Sequence, residues 1–244
     1  MDATQLLISR IEDSIWDYEC NKSSFIGFLN EHEASVACSY LRNRGVEYTL
    51  FGGYENASRV YLSVGRPVDE TQFPITAVLI VSKGKRALTH RDYLGSLMGI
   101  GIKRECIGDI ITRTPQEAIV FLRSDIVDYT FSELRKISTD TVVLSLYDGD
   151  TAEFSSNTEN IRIIVSSMRA DNIVSALINR SRADALTLIT EDKVFVNYFE
   201  VKKPSQMLSE GDVLSIRGYG KYIIGALHGT TKRERLVINV LHFI

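Results

Sequence analysis

The chain has 244 residues, of which 44% are hydrophobic and 24% are charged, as in ordinary globular proteins. A chain of this length accommodates one large domain or two to three small ones. Its net charge of −3 does not by itself indicate a nucleic-acid partner. The three cysteines are widely spaced and form no C-x-x-C pair, which argues against disulfide staples and zinc and for a reducing compartment.

The charge is distributed unevenly along the chain. From Met168 onward there are 11 Lys and Arg against 8 Asp and Glu, whereas the preceding residues have 17 against 23. The positive bias of the C-terminal part is modest, so it permits an anionic partner without identifying one.

The first residues indicate no export signal. MDATQLLISRIEDSIW has acidic residues where a signal peptide needs a basic region followed by an apolar run. No apolar stretch approaches the roughly 20 residues that span a bilayer. The sequence therefore predicts a cytoplasmic protein without membrane insertion.

An α+β fold with three modules is predicted, and residues 1–72 form the first, an N-terminal α/β module. Apolar residues recur at spacings of three to four over Leu6–Ile15, which predicts a helix. A second helix is expected over 32–44, with Gly45 as its stop. Two strands around a turn at Gly52-Gly53 complete the module.

Residues 73–150 alternate strands and helices in the order β-α-β-β-α-β, the ferredoxin-like split unit. The first helix is expected to be capped by Thr89 and Asp92, and the second helix to cover 129–137. Many small RNA-binding modules have this topology, but so do unrelated proteins, so topology assigns no function. The strand aromatics of RNA-recognition modules are not found, since the two central strand segments contain only Phe121.

The third module covers residues 161–244 and contains two short helices followed by short strands. Ser181 is predicted to cap the second helix, with Asp184 completing a capping box. The apolar face of the first helix is predicted to consist of Ile173, Val174, Leu177 and Ile178, and that of the second of Ala185, Leu186, Leu188 and Ile189.

Basic residues gather where these helices meet. Arg169, Arg180 and Arg182 are expected to lie near one another and beside a helix N-terminus, an arrangement that favours phosphate. The alternative is that Arg169 pairs with Asp171 or Asp184 and stabilises the domain.

This module resembles the S4 RNA-binding domain. One departure is Tyr198, which stands where S4 domains usually have a glycine after Asn197, so the tight Asn-Gly hairpin turn is not available. The resemblance implies a grip on structured RNA. The matching segments are Met168-Arg169-Ala170-Asp171, Ser181-Arg182, Val194-Phe195-Val196-Asn197, Lys203-Pro204-Ser205 and 210–218. The RNA contacts inferred from the resemblance and from the arginine cluster are Arg169, Arg180, Ser181, Arg182, Arg217 and Lys221.

Across almost its whole length the chain is similar to the YlmH family, through FGGYENASRV, ALTHRDYLGSLMGIGIKRECIGDI and residues 229–235. An aromatic residue after the hairpin asparagine is usual in that family, which Tyr198 matches. The family comprises bacterial S4 proteins linked to the division gene cluster, with relatives tied to photosystem II in plastids. Its bacterial members are described as binding large ribosomal subunits with stalled peptidyl-tRNA during ribosome quality control. The resemblance implies a non-enzymatic adaptor whose partners are large-subunit ribosomal RNA and tRNA, not DNA.

A second basic cluster surrounds the helix after Thr89. It is either a solvated surface or a second edge that contacts phosphate, and the residues leave both interpretations open. The same two interpretations apply to the C-terminal Lys232 and Arg233, and here the family resemblance favours phosphate contact. The cluster consists of Lys85, Arg86, Arg91, Lys103 and Arg104.

No catalytic or metal site is predicted. His90-Arg91-Asp92 resembles a kinase catalytic loop, but no D-F-G or glycine-rich phosphate loop accompanies it. The four histidines do not pair at metal spacing, with each other or with cysteines, so no cofactor is expected. Two alternatives stay open: an RNA-modifying enzyme with its chemistry in residues 1–148, and a protein adaptor in cell division.

Overall fold

The computed structural model describes residues 3–20, 22–151, 154, 158–231 and 233–243. The chain divides into two compact units, Met1–Phe154 and Ser155–Ile244. The predicted boundary between two modules at residue 72 falls inside the first unit and stays a prediction. Among the helices of the described residues, none is long and apolar enough to cross a membrane.

The first unit begins with two helices and a three-stranded antiparallel sheet in the order β1-β3-β2. Both helices and the β2–β3 pair were predicted, whereas β1, a segment of five residues, was not. Asn30 and Glu33 form a capping box at the start of α2, and Gly45 beyond its end has a φ of 66°. The elements are α1 (Ala3–Glu19), β1 (Phe25–Leu29), α2 (Glu31–Asn43), β2 (Tyr48–Phe51) and β3 (Val60–Val64).

The β-α-β-β-α-β order predicted for the next part of this unit is confirmed. Its antiparallel sheet has the strand order β5-β6-β4-β8-β7. Thr89 and Asp92 form the expected capping box of the first helix. The second helix ends at Glu133, because Lys136–Ile137 pairs as a short added strand with the start of β8. The elements are β4 (Ile75–Ser82), α3 (His90–Gly99), β5 (Ile107–Thr114), β6 (Glu117–Arg123), α4 (Val127–Glu133), β7 (Lys136–Ile137) and β8 (Asp140–Leu146).

Both faces of the central strands of the five-stranded sheet are covered. Alternate side chains of β4 and β6 pack in the core with α3 and α4, with Val78 and Val120 as examples. Side chains on the opposite face, including Phe121, pack in an aromatic cluster with Phe28 and Tyr61 of the three-stranded sheet. RNA-recognition modules stack bases on the sheet face opposite their helices, which is open to solvent. Here the central part of that face is core, so it is closed to RNA.

The second unit is a six-stranded antiparallel sheet, in the order β11-β10-β12-β13-β14-β9, packed against two helices. β9 precedes the helices in sequence but pairs with the last strand along Thr158–Val165. Its core combines both helices with the central strands, and Ile173, Leu214 and Val240 are fully buried there. The elements are β9 (Thr158–Val165), α5 (Ala170–Leu177), α6 (Arg182–Thr190), β10 (Val194–Val196), β11 (Phe199–Glu200), β12 (Val213–Ile216), β13 (Gly220–Thr230) and β14 (Leu236–Phe243).

A tight turn joins β10 to β11 despite the absence of glycine, which corrects the sequence-based expectation. Asn197 and Tyr198 both have positive φ, 50° and 67°, and Val196 pairs with Phe199. This is the two-residue hairpin geometry that usually requires Asn-Gly. The Asn197 amide donates to Asp212 (2.8 Å) and accepts the backbone N–H of Val213 (2.9 Å). These bonds offset the cost of a left-handed tyrosine, about 1–3 kcal/mol.

Leu186 is the second correction, because it was predicted to be buried. Ala185 and Ile189 are buried and Leu188 is partly buried, but the Leu186 side chain is 37% exposed. Successive side chains of an α-helix differ in direction by about 100°, so Leu186 points away from the face on which Ala185 is buried. It lies on the outer face of α6, one turn beyond Arg182.

Candidate nucleic-acid interface

A buried aspartate holds two arginines at the start of the S4 helices. Asp171 is 1% exposed, and its carboxylate accepts hydrogen bonds from Nε and Nη2 of Arg169 at 3.1 and 2.9 Å. Arg182 donates to the same carboxylate through Nε and Nη2 at 3.0 and 2.6 Å. Two guanidinium groups therefore share one carboxylate, and we call this trio the arginine clamp.

Electrostatics keep the clamp ionised. The hydrogen bonds from Arg169, with those from Arg182, lower the pKa of Asp171 to about 2, although burial of the carboxyl opposes the shift. The trio carries one net positive charge, since two guanidinium cations face one carboxylate. The arginine side chains are 36% and 55% exposed. Each guanidinium has five N–H donors, so each retains donors for a ligand.

The backbone places the clamp residues. Arg169 is the N-cap of α5, and Arg182 is the first residue of α6. The N–H of Asp171 donates to the carbonyl of Pro204 at 3.1 Å, which ties the loop after β11 to the same place. Of the three arginines expected to lie near one another, Arg169 and Arg182 meet at the Asp171 carboxylate, and Arg180 does not bond to it. The alternative interpretation of Arg169 is confirmed as well, because pairing with Asp171 both stabilises the domain and orients the guanidinium.

The N-terminus of α6 is already occupied by a carboxylate. Ser181 Oγ accepts the N–H of Asp184 at 3.1 Å and donates to its carboxylate at 2.7 Å. The Asp184 carboxylate also accepts the N–H of Ser181. The Ser181 hydroxyl is thus engaged in the cap, and the helix dipole is compensated by Asp184. Phosphate binding at this surface therefore rests on the guanidinium groups.

The remaining predicted contacts of the S4 unit differ in accessibility. Arg180 and Arg217 are exposed, and within the described residues their side chains form no ion pair. Lys221 is only 8% exposed, and its ammonium lies 5.2 Å from the ring centroid of Tyr198, where it stabilises the hairpin turn. Arg233 is exposed between β13 and β14. Lys232 lies outside the residues that the structure describes.

Two exposed residues beside the clamp were not singled out in the sequence as candidate contacts. Lys203 is exposed on the loop whose Pro204 carbonyl accepts the Asp171 N–H. Its place in the S4-like Lys203-Pro204-Ser205 segment was the available signal. Leu186 lies one turn along α6 from Arg182 and exposes apolar area there. No local pattern distinguished it from the core leucines.

The residues of the second basic cluster lie in different environments. Arg86 pairs with Asp92 at 3.2 Å and donates to Ser138. Arg104 donates to the carbonyls of Ile107 and Gly108, and its burial, with the neighbouring charge of Arg59, lowers its pKa to about 10. These contacts engage one nitrogen of the Arg104 guanidinium within the fold. Exposed residues in this cluster are Lys85, Arg86, Arg91 and Lys103.

Metal ligation finds no support in the geometry. Across the described ranges, no group of three His, Cys, Asp or Glu side chains is placed to hold a metal ion. His90 follows the cap residue Thr89 as the first residue of α3. Its burial, with the charge of Arg104, lowers its pKa.

The comparisons with known proteins agree with the fold. The S4 domain family model matches residues 168–214, and a model described as "Putative RNA-binding domain in YlmH" matches residues 69–150. Together with the arginine clamp, the fold defines an S4-domain RNA-binding protein. Over 214 residues the chain is 30% identical to the ribosome-associated protein quality control protein P2 of Bacillus subtilis (strain 168), covering 85% of this chain and 82% of that protein. The chain belongs to the YlmH family of S4-domain proteins.

A solved structure supports the fold. The cell division protein ylmH from Streptococcus pneumoniae aligns with a TM-score of 0.51 and 17% identity, over 59% of this chain and 90% of that chain. At this identity the likeness concerns the fold alone.

Proposed function

We propose that this protein is a non-enzymatic, cytoplasmic adaptor that grips ribosomal RNA of the large subunit in quality control of stalled translation. The observation that carries the proposal is the arginine clamp, in which Asp171 orders two guanidinium groups on side chains that stay partly exposed. The ribosome-associated name of the B. subtilis relative supports the setting.

The clamp suits the phosphate backbone of folded RNA. A guanidinium presents paired donors in a rigid plane that matches two phosphate oxygens. Because Asp171 holds both arginine planes before RNA arrives, binding loses less side-chain entropy than two free arginines would. Arg180, Arg217 and Lys203 extend the positive surface around the clamp in this proposal. Such contacts position a protein on RNA by backbone shape without reading sequence.

Transfer RNA is proposed as a neighbouring contact on the same ribosome. Stalled translation leaves a tRNA bound to the large subunit, and its backbone offers the same phosphate geometry. Arg233, exposed between β13 and β14, is the described residue of the C-terminal basic segment that we assign to this contact.

Sedimentation through a sucrose gradient of cell lysate tests the proposal. Wild type is expected to travel with large subunits, while Arg182→Glu stays at the top, because the reversed charge repels phosphate and disrupts the clamp. Arg182→Lys keeps the charge but not the paired donors and is expected to bind with intermediate strength. Lys136→Glu, an exposed charge reversal in the first unit, serves as the matched control.

The opposite result has a defined meaning. If folded Arg182→Glu sediments with large subunits as well as wild type does, the S4 surface is not the grip. Retained cellular function in that variant would favour a protein adaptor in cell division. Circular dichroism of each variant establishes that the fold is intact.

A further inference from the structure

The first unit contains a cavity of about 520 Å³, next to α1, β1 and the turn after Ile102. Small-molecule sites typically have volumes of roughly 300–1,000 Å³, so this cavity is large enough for a ligand of nucleotide size. The RNA surface proposed above lies in the other unit. Four charged side chains of the lining are cationic and two are acidic: Arg10, Arg59, Lys103, Arg104, Glu33 and Glu105.

Two arginines in the lining are held by neutral acceptors. Arg59 Nε donates to the carbonyl of Ile107 at 3.0 Å, and Arg104 Nη1 donates to the same oxygen at 2.5 Å. Arg59 Nη2 also donates to the carbonyl of Phe28 at 2.6 Å. The two guanidinium groups therefore lie side by side on one oxygen. Backbone carbonyls fix their planes without cancelling their charge.

The acidic groups of the lining are engaged elsewhere. Glu105 pairs with Arg10 at 3.1 Å, and Glu33 accepts the N–H of Asn30 at 2.8 Å in the cap of α2. Among the described residues, no carboxylate forms a hydrogen bond with the guanidinium of Arg59 or Arg104. Burial lowers the pKa of both arginines, and the charge of Arg59 adds to the effect on Arg104. The carboxylate charges of Glu33 and Asp109 oppose this shift without reversing it. The cavity thus holds two cations that an anion would stabilise.

We propose that this cavity binds the phosphate group of a nucleotide, with Arg59 and Arg104 as its ligands and Lys103 at the exposed edge. Guanidinium pairs on fixed planes match the oxygens of a phosphate. The same phosphate chemistry is supplied by a free nucleoside monophosphate and by the 5′-phosphorylated end of an RNA strand.

Isothermal titration of the full-length chain with the Arg182→Glu change in the S4 surface tests the site. The probes are adenosine monophosphate, a 5′-phosphorylated RNA trinucleotide and the same trinucleotide without the phosphate. We expect the phosphorylated probes to bind and the unphosphorylated one to bind at least about tenfold more weakly, since charge-assisted hydrogen bonds are lost. Binding of the monophosphate points to a free nucleotide, whereas binding of the phosphorylated trinucleotide alone points to a strand end.

Two further changes locate the ligand. Arg104→Gln should weaken binding at least about tenfold. Lys103→Glu avoids the risk of misfolding, because Lys103 is exposed. This change should weaken binding of the phosphorylated probes about three- to tenfold. Lys136→Gln, an exposed cation outside the lining, should leave affinity unchanged. Equal binding of phosphorylated and unphosphorylated trinucleotides, no binding of any probe, or full affinity in folded Lys103→Glu and Arg104→Gln would overturn the proposal. The S4 proposal would be unaffected by any of these results.

Discussion

At the scale of single residues, Asp171 fixes the orientation of the two arginines of the clamp. It is buried, and both of its ion-pair partners are arginines predicted to contact RNA. A buried carboxylate is stable only when its oxygens are paired, so domain stability and orientation of the arginines depend on the same bonds. The sequence marked Asp171 only as a possible partner of Arg169. The link to Arg182, eleven residues away, required the structure.

The pH dependence of stability tests the clamp. The pKa of Asp171 is lowered to about 2 in the folded protein, below its unfolded value. Its contribution is therefore present above about pH 4 and lost as the pH falls towards about 2, and it amounts to about 1–2 kcal/mol after screening of the exposed arginines. Urea unfolding at several pH values should show this loss in wild type and not in Asp171→Asn. Parallel pH profiles for the two proteins would contradict it.

At the scale of elements, helix caps follow from the local sequence more closely than the burial of side chains does. The capping boxes at Asn30, Thr89 and Ser181 join residues three positions apart, and two of them were predicted from that spacing. The β10–β11 turn differs, because Tyr198 adopts a conformation that glycine normally supplies. Hydrogen bonds from Asn197 to the β12 segment decide its geometry, and these come from a distant part of the chain.

Substitutions at Tyr198 test this account of the turn. Tyr198→Val should lower the free energy of unfolding by about 1–2 kcal/mol, since a β-branched residue tolerates positive φ poorly. Tyr198→Gly should change stability little, because relief of backbone strain offsets the lost contact with the Lys221 ammonium. Chemical denaturation measures both variants. Equal losses in both would show that the side-chain contact, not the backbone, controls the turn.

At the scale of the whole molecule, residues on both sides of the predicted boundary at residue 72 pack together inside the first unit. The three-stranded and five-stranded sheets of the first unit share an aromatic cluster, with Phe121 stacked on Tyr54 at a centroid distance of 5.2 Å. Gly53 lies so close to this ring that an added Cβ would be 2.3 Å from it. Residues of 1–72 and of 73–150 therefore pack together in one aromatic cluster.

Hydrogen exchange after Phe121→Ala tests this cooperation. Removal of a buried aromatic ring should destabilise the first unit by about 3–5 kcal/mol. Amides of β1–β3 and of β4–β8 should lose protection together, while those of β9–β14 keep theirs. Loss confined to 73–150 would instead support two separately folding modules. Phe131→Ala, on the helix side of the same sheet, is the matched control for a partly buried ring.

The sequence by itself determined most of the order of helices and strands, two of the capping boxes and the S4-like segment, because these depend on residues a few positions apart. The short strands β1 and β7 were not predicted. The family resemblance of the sequence is confirmed by the matches to known proteins. Only the tertiary structure decided which cations face solvent. Arg104 and Lys221 look like surface cations in sequence, yet backbone carbonyls hold one and packing covers the other. Burial and charge pairing depend on groups that folding brings together from distant positions, which no local pattern records.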